Sequence, residues 1–311
     1  MLLVFQSILP IFLLVLLGIA LKRAPAIDPS FWDGLEQCSY FVLFPALLFL
    51  TMVEADFSNI QNITVSFAAI LAVIVMSGGM LAAWPLMKRM GVKPSAYTSL
   101  FQTTTRWNGF VALAIAAKTS GITGLTMVGL VMAAIIIPLN LINVTVLLWF
   151  SGRERSYRAL LYRIVTNPLI LSTALGIVVN LAGIPIYAPV MQTIDLLSQA
   201  SLSLGLLTVG AGLRVMDALK PRPLVLLAVV LKLIAFPIVG VLIGFALGIQ
   251  GEGIVMLALC AAVPTAMNGY LLAKQMGGDA DFYAAAATLQ VAVSFFSIPI
   301  VMTLAAYVAG G

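Results

Sequence analysis

The sequence predicts an all-α polytopic membrane protein of ten transmembrane helices, and three observations carry that prediction. Of 311 residues, 62% are hydrophobic and 9% charged, against roughly 25% charged in an average soluble domain. Apolar runs of about 20 residues, enough to cross a hydrocarbon core about 30 Å thick, recur along the whole chain. These runs are continuous, as from Phe12 to Leu21, and lack the alternation of barrel strands.

Hydropathy and its punctuation place the ten spans at about 2–21, 34–53, 63–86, 95–117, 125–150, 159–182, 189–213, 223–248, 253–275 and 281–308. The first is read as a retained helix, because Lys22 and Arg23 follow its apolar run instead of preceding it. The connections are short and rich in Gly, Pro, Asn and charge, too short to hold a soluble domain. With the N-terminus outside, the odd-numbered loops carry thirteen Lys and Arg (Lys22 to Lys274) and the even-numbered loops carry Lys118 alone. That positive-inside asymmetry predicts an inner-membrane protein with both termini outside. It also accounts for the net charge of +5 without a nucleic-acid partner. The chain has no histidine, and Cys38 and Cys260 sit in apolar stretches as expected buried small residues. Neither a metal centre nor a cofactor is expected.

The two halves resemble each other. Pro10 and Gly18 are answered by Pro168 and Gly176 at an offset of 158, Asn108-Gly109-Phe110 by Asn268-Gly269-Tyr270 at 160, and Pro138 by Pro299 at 161. Five spans per half is odd, so the second half must cross in the opposite sense, an architecture of secondary transporters. The expected organisation is a first repeat over 1–152, a cytoplasmic linker over 153–158 and an inverted second repeat over 159–311.

Spans 4 and 9 carry the functional signal. Span 4 holds the polar run Gln102-Thr103-Thr104-Thr105-Arg106-Trp107-Asn108-Gly109, and span 9 holds Val263-Pro264-Thr265-Ala266-Met267-Asn268-Gly269. Proline removes a backbone donor and glycine tolerates an unwound backbone. Such a break is tolerated at membrane depth only where protein or water satisfies the freed groups. Half-helix N-termini would offer N–H groups to an anion, and the amides of Asn108 and Asn268 could join them. Arg106 either faces the interior, where it would pair with a substrate carboxylate, or snorkels towards a surface. Lys232 is the other deep cation, either a second anion contact or a partner for Glu36, Glu54 or Asp195. Gln102, Lys232 and Gln290 are supporting positions, and Gln290, Asn140 and Asn143 more often bond between helices. Ser198, Gln199, Ser201 and Ser203 predict an interior span 7, with Gly205, Gly210 and Gly212 suited to close packing.

Several segments resemble the auxin efflux carrier family, in its bacterial branch. They are Phe41-Val-Leu-Phe-Pro45-Ala-Leu-Leu-Phe49, the Asn108-Gly109 break, and Val263-Pro264-Thr265-Ala266-Met267-Asn268 running on through Lys274 and Gln275 to Asp279. The resemblance implies two inverted five-helix repeats divided into scaffold and transport domains, with substrate held where the fourth and ninth helices cross. It places Asn108 and Gly109 at the first crossover, and Pro264, Thr265, Asn268 and Gly269 at the second. Relatives of this kind are permeases for malonate, malate and similar carboxylates, or exporters of auxin. Many also carry a proline soon after the span 4 Asn-Gly; here Val111 to Ala117 contains none, leaving that break to Asn108 and Gly109.

An enzyme is not expected, because no nucleophile with a base, metal cluster or carboxylate pair assembles. The expectation is alternating-access transport of a small organic anion across the lipid bilayer. A channel or sensor on the same fold and a sodium-coupled carrier of another organic anion are the alternatives, and a homodimer is left open.

Overall fold

The computed structural model describes residues 2–55, 60–151, 162, 166–218 and 222–310, excluding the side chains of 2–4, 60–62, 151, 217, 218, 268, 271 and 275. The expected linker at 153–158 and most of the start of span 6 lie outside the described residues. Among the described residues every regular element is helical.

Seven helical stretches are long and apolar enough to cross a membrane, and one of them, Pro94–Phe150, runs for 57 residues. It contains spans 4 and 5. Its helix Gly109–Ser151 would extend about 65 Å at 1.5 Å per residue, twice the hydrocarbon thickness. It therefore turns back, and does so at Gly121, whose φ of 57° and ψ of −142° only glycine adopts readily. Two shorter apolar helices, Pro168–Leu181 and Glu252–Ala262, lie in spans 6 and 9. Ten hydrophobic segments result, as expected.

Local chemistry sets the helix starts. Pro29, Pro94, Pro168 and Pro223 each stand in the first turn, where the missing N–H costs nothing. Asp28, Asn167 and Asp279 cap the following N–H groups of Ser30, Leu169 and Phe282. Two features were not legible in the pattern. Spans 2 and 8 are interrupted by π-helical turns at Ser39–Leu43 and Leu231–Ala235, each followed by Phe-Pro.

Close packing follows the glycines. A Cβ on Gly18 would lie 2.2 Å from the Leu207 carbonyl oxygen, and one on Gly210 would lie 1.9 Å from that of Val15, so spans 1 and 7 meet backbone to backbone. A Cβ on Gly176 would lie 2.7 Å from the Phe49 carbonyl oxygen, so span 6 meets span 2 in the same way. Spans 1, 2, 6 and 7 pack chiefly on one another, and spans 3, 4, 5, 8, 9 and 10 form a second group.

Two expectations about burial need correction. Cys260 is buried but Cys38 is exposed. A membrane protein presents apolar residues outward, so an apolar neighbourhood in sequence does not imply an interior position. Span 7 is likewise split: Ser198 and Ser201 are buried, whereas Gln199 and Ser203 are on the exposed side.

Candidate functional site

Span 4 breaks after the helix Pro94–Thr105, where Arg106 turns extended (φ −69°, ψ 155°), and resumes as a helix at Gly109. Span 9 breaks after Glu252–Ala262, where Val263 is extended (φ −65°, ψ 146°), and resumes at Asn268. The first halves hold 12 and 11 residues, about 17 Å each, so both chains unwind near half the thickness of the bilayer core.

The two breaks touch. The backbone N–H of Asn108 donates to the Pro264 carbonyl at 2.8 Å. Freed groups around this contact find protein partners, as a break at membrane depth requires. Asn108 Oδ1 accepts from Val111 N–H (3.3 Å) and so caps the second half of span 4. The Tyr283 hydroxyl donates to the Ala266 carbonyl (2.6 Å) and lies 3.0 Å from Thr265 Oγ1. Gly269 is required beside it, because a Cβ there would fall 2.2 Å from the Tyr283 oxygen.

Gln290 joins four spans. Its Oε1 accepts from Thr265 N–H (3.0 Å), while Nε2 donates to the carbonyls of Thr103 (3.0 Å) and Ala228 (3.1 Å). All of its reach goes into the protein, so it clamps spans 4, 8, 9 and 10 and leaves nothing for a ligand. The threonines of span 4 are also committed. Thr103, Thr104 and Thr105 each donate to the carbonyl four residues back, at 2.9 Å. Thr105 Oγ1 additionally lies 3.1 Å from Asn143 Oδ1, and Asn143 returns its amide to Leu139 O.

Arg106 is 4% exposed and faces the interior, which decides against snorkelling. Its Nε donates to Gln102 Oε1 (3.2 Å) and its Nη1 to Asn140 Oδ1 (3.4 Å). Its Nη2 and the neighbouring Gln102 Nε2 are buried with no hydrogen-bond partner. Among the described residues no carboxylate pairs with this guanidinium. Two adjacent donors, one cationic, thus stand vacant beside the contact between the breaks.

Lys232 is fully buried. Its Nζ has no hydrogen-bond partner and lies 4.2 Å from the centroid of the Phe236 ring. It is not paired with Glu36, Glu54 or Asp195, which stand nearer the helix ends. A small apolar cavity of about 20 Å³, room for one water, is lined by Thr105, Trp107, Phe236 and Cys260 among others.

Arg106, Asn108, Gly109, Pro264, Thr265 and Gly269 are therefore brought together, with Gln102 beside Arg106 and Gln290 behind. The backbone of Asn268 opens the second half of span 9, and its side chain lies outside the described ones. Tyr283 was missed by sequence reasoning, because it sits in a run of alanines on span 10 with no polar pattern to single it out.

Comparison with known proteins now bears on this arrangement. Residues 152–302 match the model of the family described as membrane transport protein. An uncharacterized transporter of Methanothermobacter thermautotrophicus is 24% identical over 297 residues, covering 95% of this chain and 96% of that protein. The uncharacterized transporter YfdV of Escherichia coli K12 is 23% identical over 313 residues, covering 97% and 96%. Over that part, just under half of the chain, the sequence resembles the membrane transport protein family. This agrees with the resemblance to auxin efflux carriers, and the chain is accordingly a multi-pass membrane transporter.

Proposed function

We propose that this transporter is an alternating-access carrier of a small organic anion, a mono- or dicarboxylate such as malonate, malate or an auxin-like acid. The carrying observation is the buried Arg106 guanidinium, unpaired among the described residues, with Nη2 and the adjoining Gln102 Nε2 both vacant. A buried cation without a counter-charge costs several kcal/mol and is retained where a ligand supplies the missing acceptor. One carboxylate can take both donors, and the N-terminal turn of the second half of span 4 adds a favourable dipole. Asn108, Gly109, Pro264, Thr265, Asn268 and Gly269 frame the site.

The inverted repeat is part of the same reading, and three features support it. The broken helices begin at Pro94 and Glu252, end at Thr105 and Ala262, and resume at Gly109 and Asn268, offsets of 158, 157 and 159. Gly18 in span 1 packs on span 7, and its counterpart Gly176 in span 6 packs on span 2, the exchange a two-fold relation demands. The separate packing of spans 1, 2, 6 and 7 suits a scaffold against which the broken-helix group moves. Loop charge favours an inner-membrane protein with both termini outside.

The test is malonate, malate and indole-3-acetate counterflow in proteoliposomes, with thermal shift of the purified protein by the same acids. A carrier gives saturable, trans-stimulated uptake that Asn108→Ala and Asn268→Ala abolish in folded protein. Undiminished uptake by both variants overturns the site, and flux that does not saturate would favour a channel.

A further inference from the structure

Lys232 is buried in the broken-helix group without a hydrogen-bond partner, which bears on the ion that would drive an anion carrier. Proton-coupled carriers place a titratable group near the substrate site, commonly a carboxylate or histidine. This chain has no histidine. The acids with described side chains lie at or near helix ends: Asp28, Asp33, Glu36, Glu54, Asp195, Glu252, Asp279 and Asp281. None is among the partners of the two breaks.

Lys232 is at the right depth. Gln290 Nε2 donates to both Thr103 O and Ala228 O, so spans 4 and 8 are level there. In the ten-pass order both spans run the same way. Arg106 stands three residues beyond Thr103 and Lys232 four beyond Ala228, advances of roughly 4.5 and 6 Å. The two cations thus flank the breaks at nearly one level. The π-turn that carries Lys232 also packs on the helix Glu252–Ala262, whose last turn holds Cys260. That is the negative end of a half-helix, where transporters of this architecture coordinate Na⁺ or H⁺.

The surroundings hold nothing that would keep the charge permanently. The elements packed on the π-turn bring Cys260 and, at the far exposed end of the same helix, Glu252 from span 9, Tyr97 from span 4, and Tyr283 and the exposed Asp281 from span 10. The flanking helices Pro223–Val230 and Phe236–Ala246 bring no titratable group. Tyr97 is committed to Met80 O and Tyr283 to Ala266 O. The amine meets a ring face, and its donors have no hydrogen-bond partner.

We propose that Lys232 is the coupling site of this carrier, binding one proton at Nζ for each anion carried, so that transport is proton-linked and independent of sodium. The proton arrives from the side on which the anion binds and leaves from Nζ on the side where the anion is released. No other bond is made or broken. Anion and proton favour each other because the anion's charge offsets that of the ammonium at short range in a medium of low dielectric, and this coupling is reciprocal. The inference rests on the anion-carrier reading.

The experiment uses the full chain in proteoliposomes with trapped pyranine and radiolabelled malonate, in sodium-containing and sodium-free buffer. The wild type is expected to accumulate malonate on an inward proton gradient, to acidify the lumen as it does so, and to behave identically when choline replaces sodium. In Lys232→Met and in the permanently charged Lys232→Arg, remaining malonate exchange no longer responds to the gradient and no longer moves protons. Malonate uptake by the wild type without lumen acidification, a sodium requirement, or gradient-driven accumulation intact in Lys232→Met overturns the proposal. A second measurement needs no substrate: thermal unfolding of wild type and Lys232→Met from pH 5 to 9. Diverging profiles support proton exchange at Lys232 and parallel profiles overturn it. If no organic anion is carried, the reading of the previous section fails while this titration still decides the role of the amine.

Discussion

Replacing Arg106 with Met should separate binding from stability, because the two effects have opposite signs at this residue. The side chain makes two long hydrogen bonds, to Gln102 (3.2 Å) and Asn140 (3.4 Å). Each contributes about 1 kcal/mol net. Against this stands the cost of a charge at membrane depth, about 2.5–3.5 kcal/mol on insertion scales. Methionine fills comparable volume with no charge, so the two terms nearly cancel. The melting temperature of the purified variant should stay within about 3 °C of wild type. Anion binding has no such compensation. Loss of a charge-assisted contact costs about 1.5–3 kcal/mol, a rise of roughly 10- to 150-fold in the apparent Kd for malonate. Both quantities come from one assay, thermal shift in detergent with and without a series of malonate concentrations. A fall in melting temperature of 10 °C or more with unchanged malonate affinity would make the guanidinium a structural post and not an anion contact.

Gln290→Leu should be severe, because it strands Thr265 N–H and the Thr103 and Ala228 carbonyls in the interior; a loss of about 3 kcal/mol or more is expected in detergent unfolding. Gly269→Ala should destabilise by about 1–3 kcal/mol through contact with the Tyr283 hydroxyl. Adding Tyr283→Phe should return part of that loss, and a double-mutant cycle with no coupling would exclude the contact. Bonds from the Ser30 side chain and then its backbone hold the Asp28 carboxyl below its usual range. A depressed carboxyl stabilises above its unfolded pKa and loses that contribution as pH falls through the folded one. Asp28→Asn should therefore lower the melting temperature slightly at neutral pH and flatten the acid limb, so that the variant and wild-type profiles converge as pH falls, as read by a pH series of melting curves.

Much of the architecture is written in one dimension. Hydrophobic length alone gives the passes, since the bilayer imposes one thickness on each of them. Pro94, Pro168 and Pro223 announce helix starts, and Asn108-Gly109 and Pro264 announce breaks, because both effects act through the backbone within a turn. Arg106 was legible as a candidate for the same local reason, being a cation in an apolar segment.

What the sequence left open depended on three-dimensional neighbours. Whether Arg106 turned inward or towards a surface is decided by Gln102 and Asn140, the latter on another span. Span 7 carries serines on two faces, and only packing decides that Ser201 is inside and Ser203 outside. Cys38 illustrates the same point, since apolar neighbours in a membrane chain serve lipid as readily as a core. Gln290 was legible as a group that bonds between helices, though not which spans it joins; the role of Tyr283 lay wholly beyond pattern, because it is one residue of an alanine run until the fold brings unwound backbone from span 9 against it. Ten helical membrane segments with two weak points follow from residue order alone, because helix length, hydropathy and proline chemistry are local. The tertiary structure decided that those weak points meet, through Asn108 N–H and Pro264 O, and that a cation stands beside them with donors to spare, because contact between distant segments is set by packing.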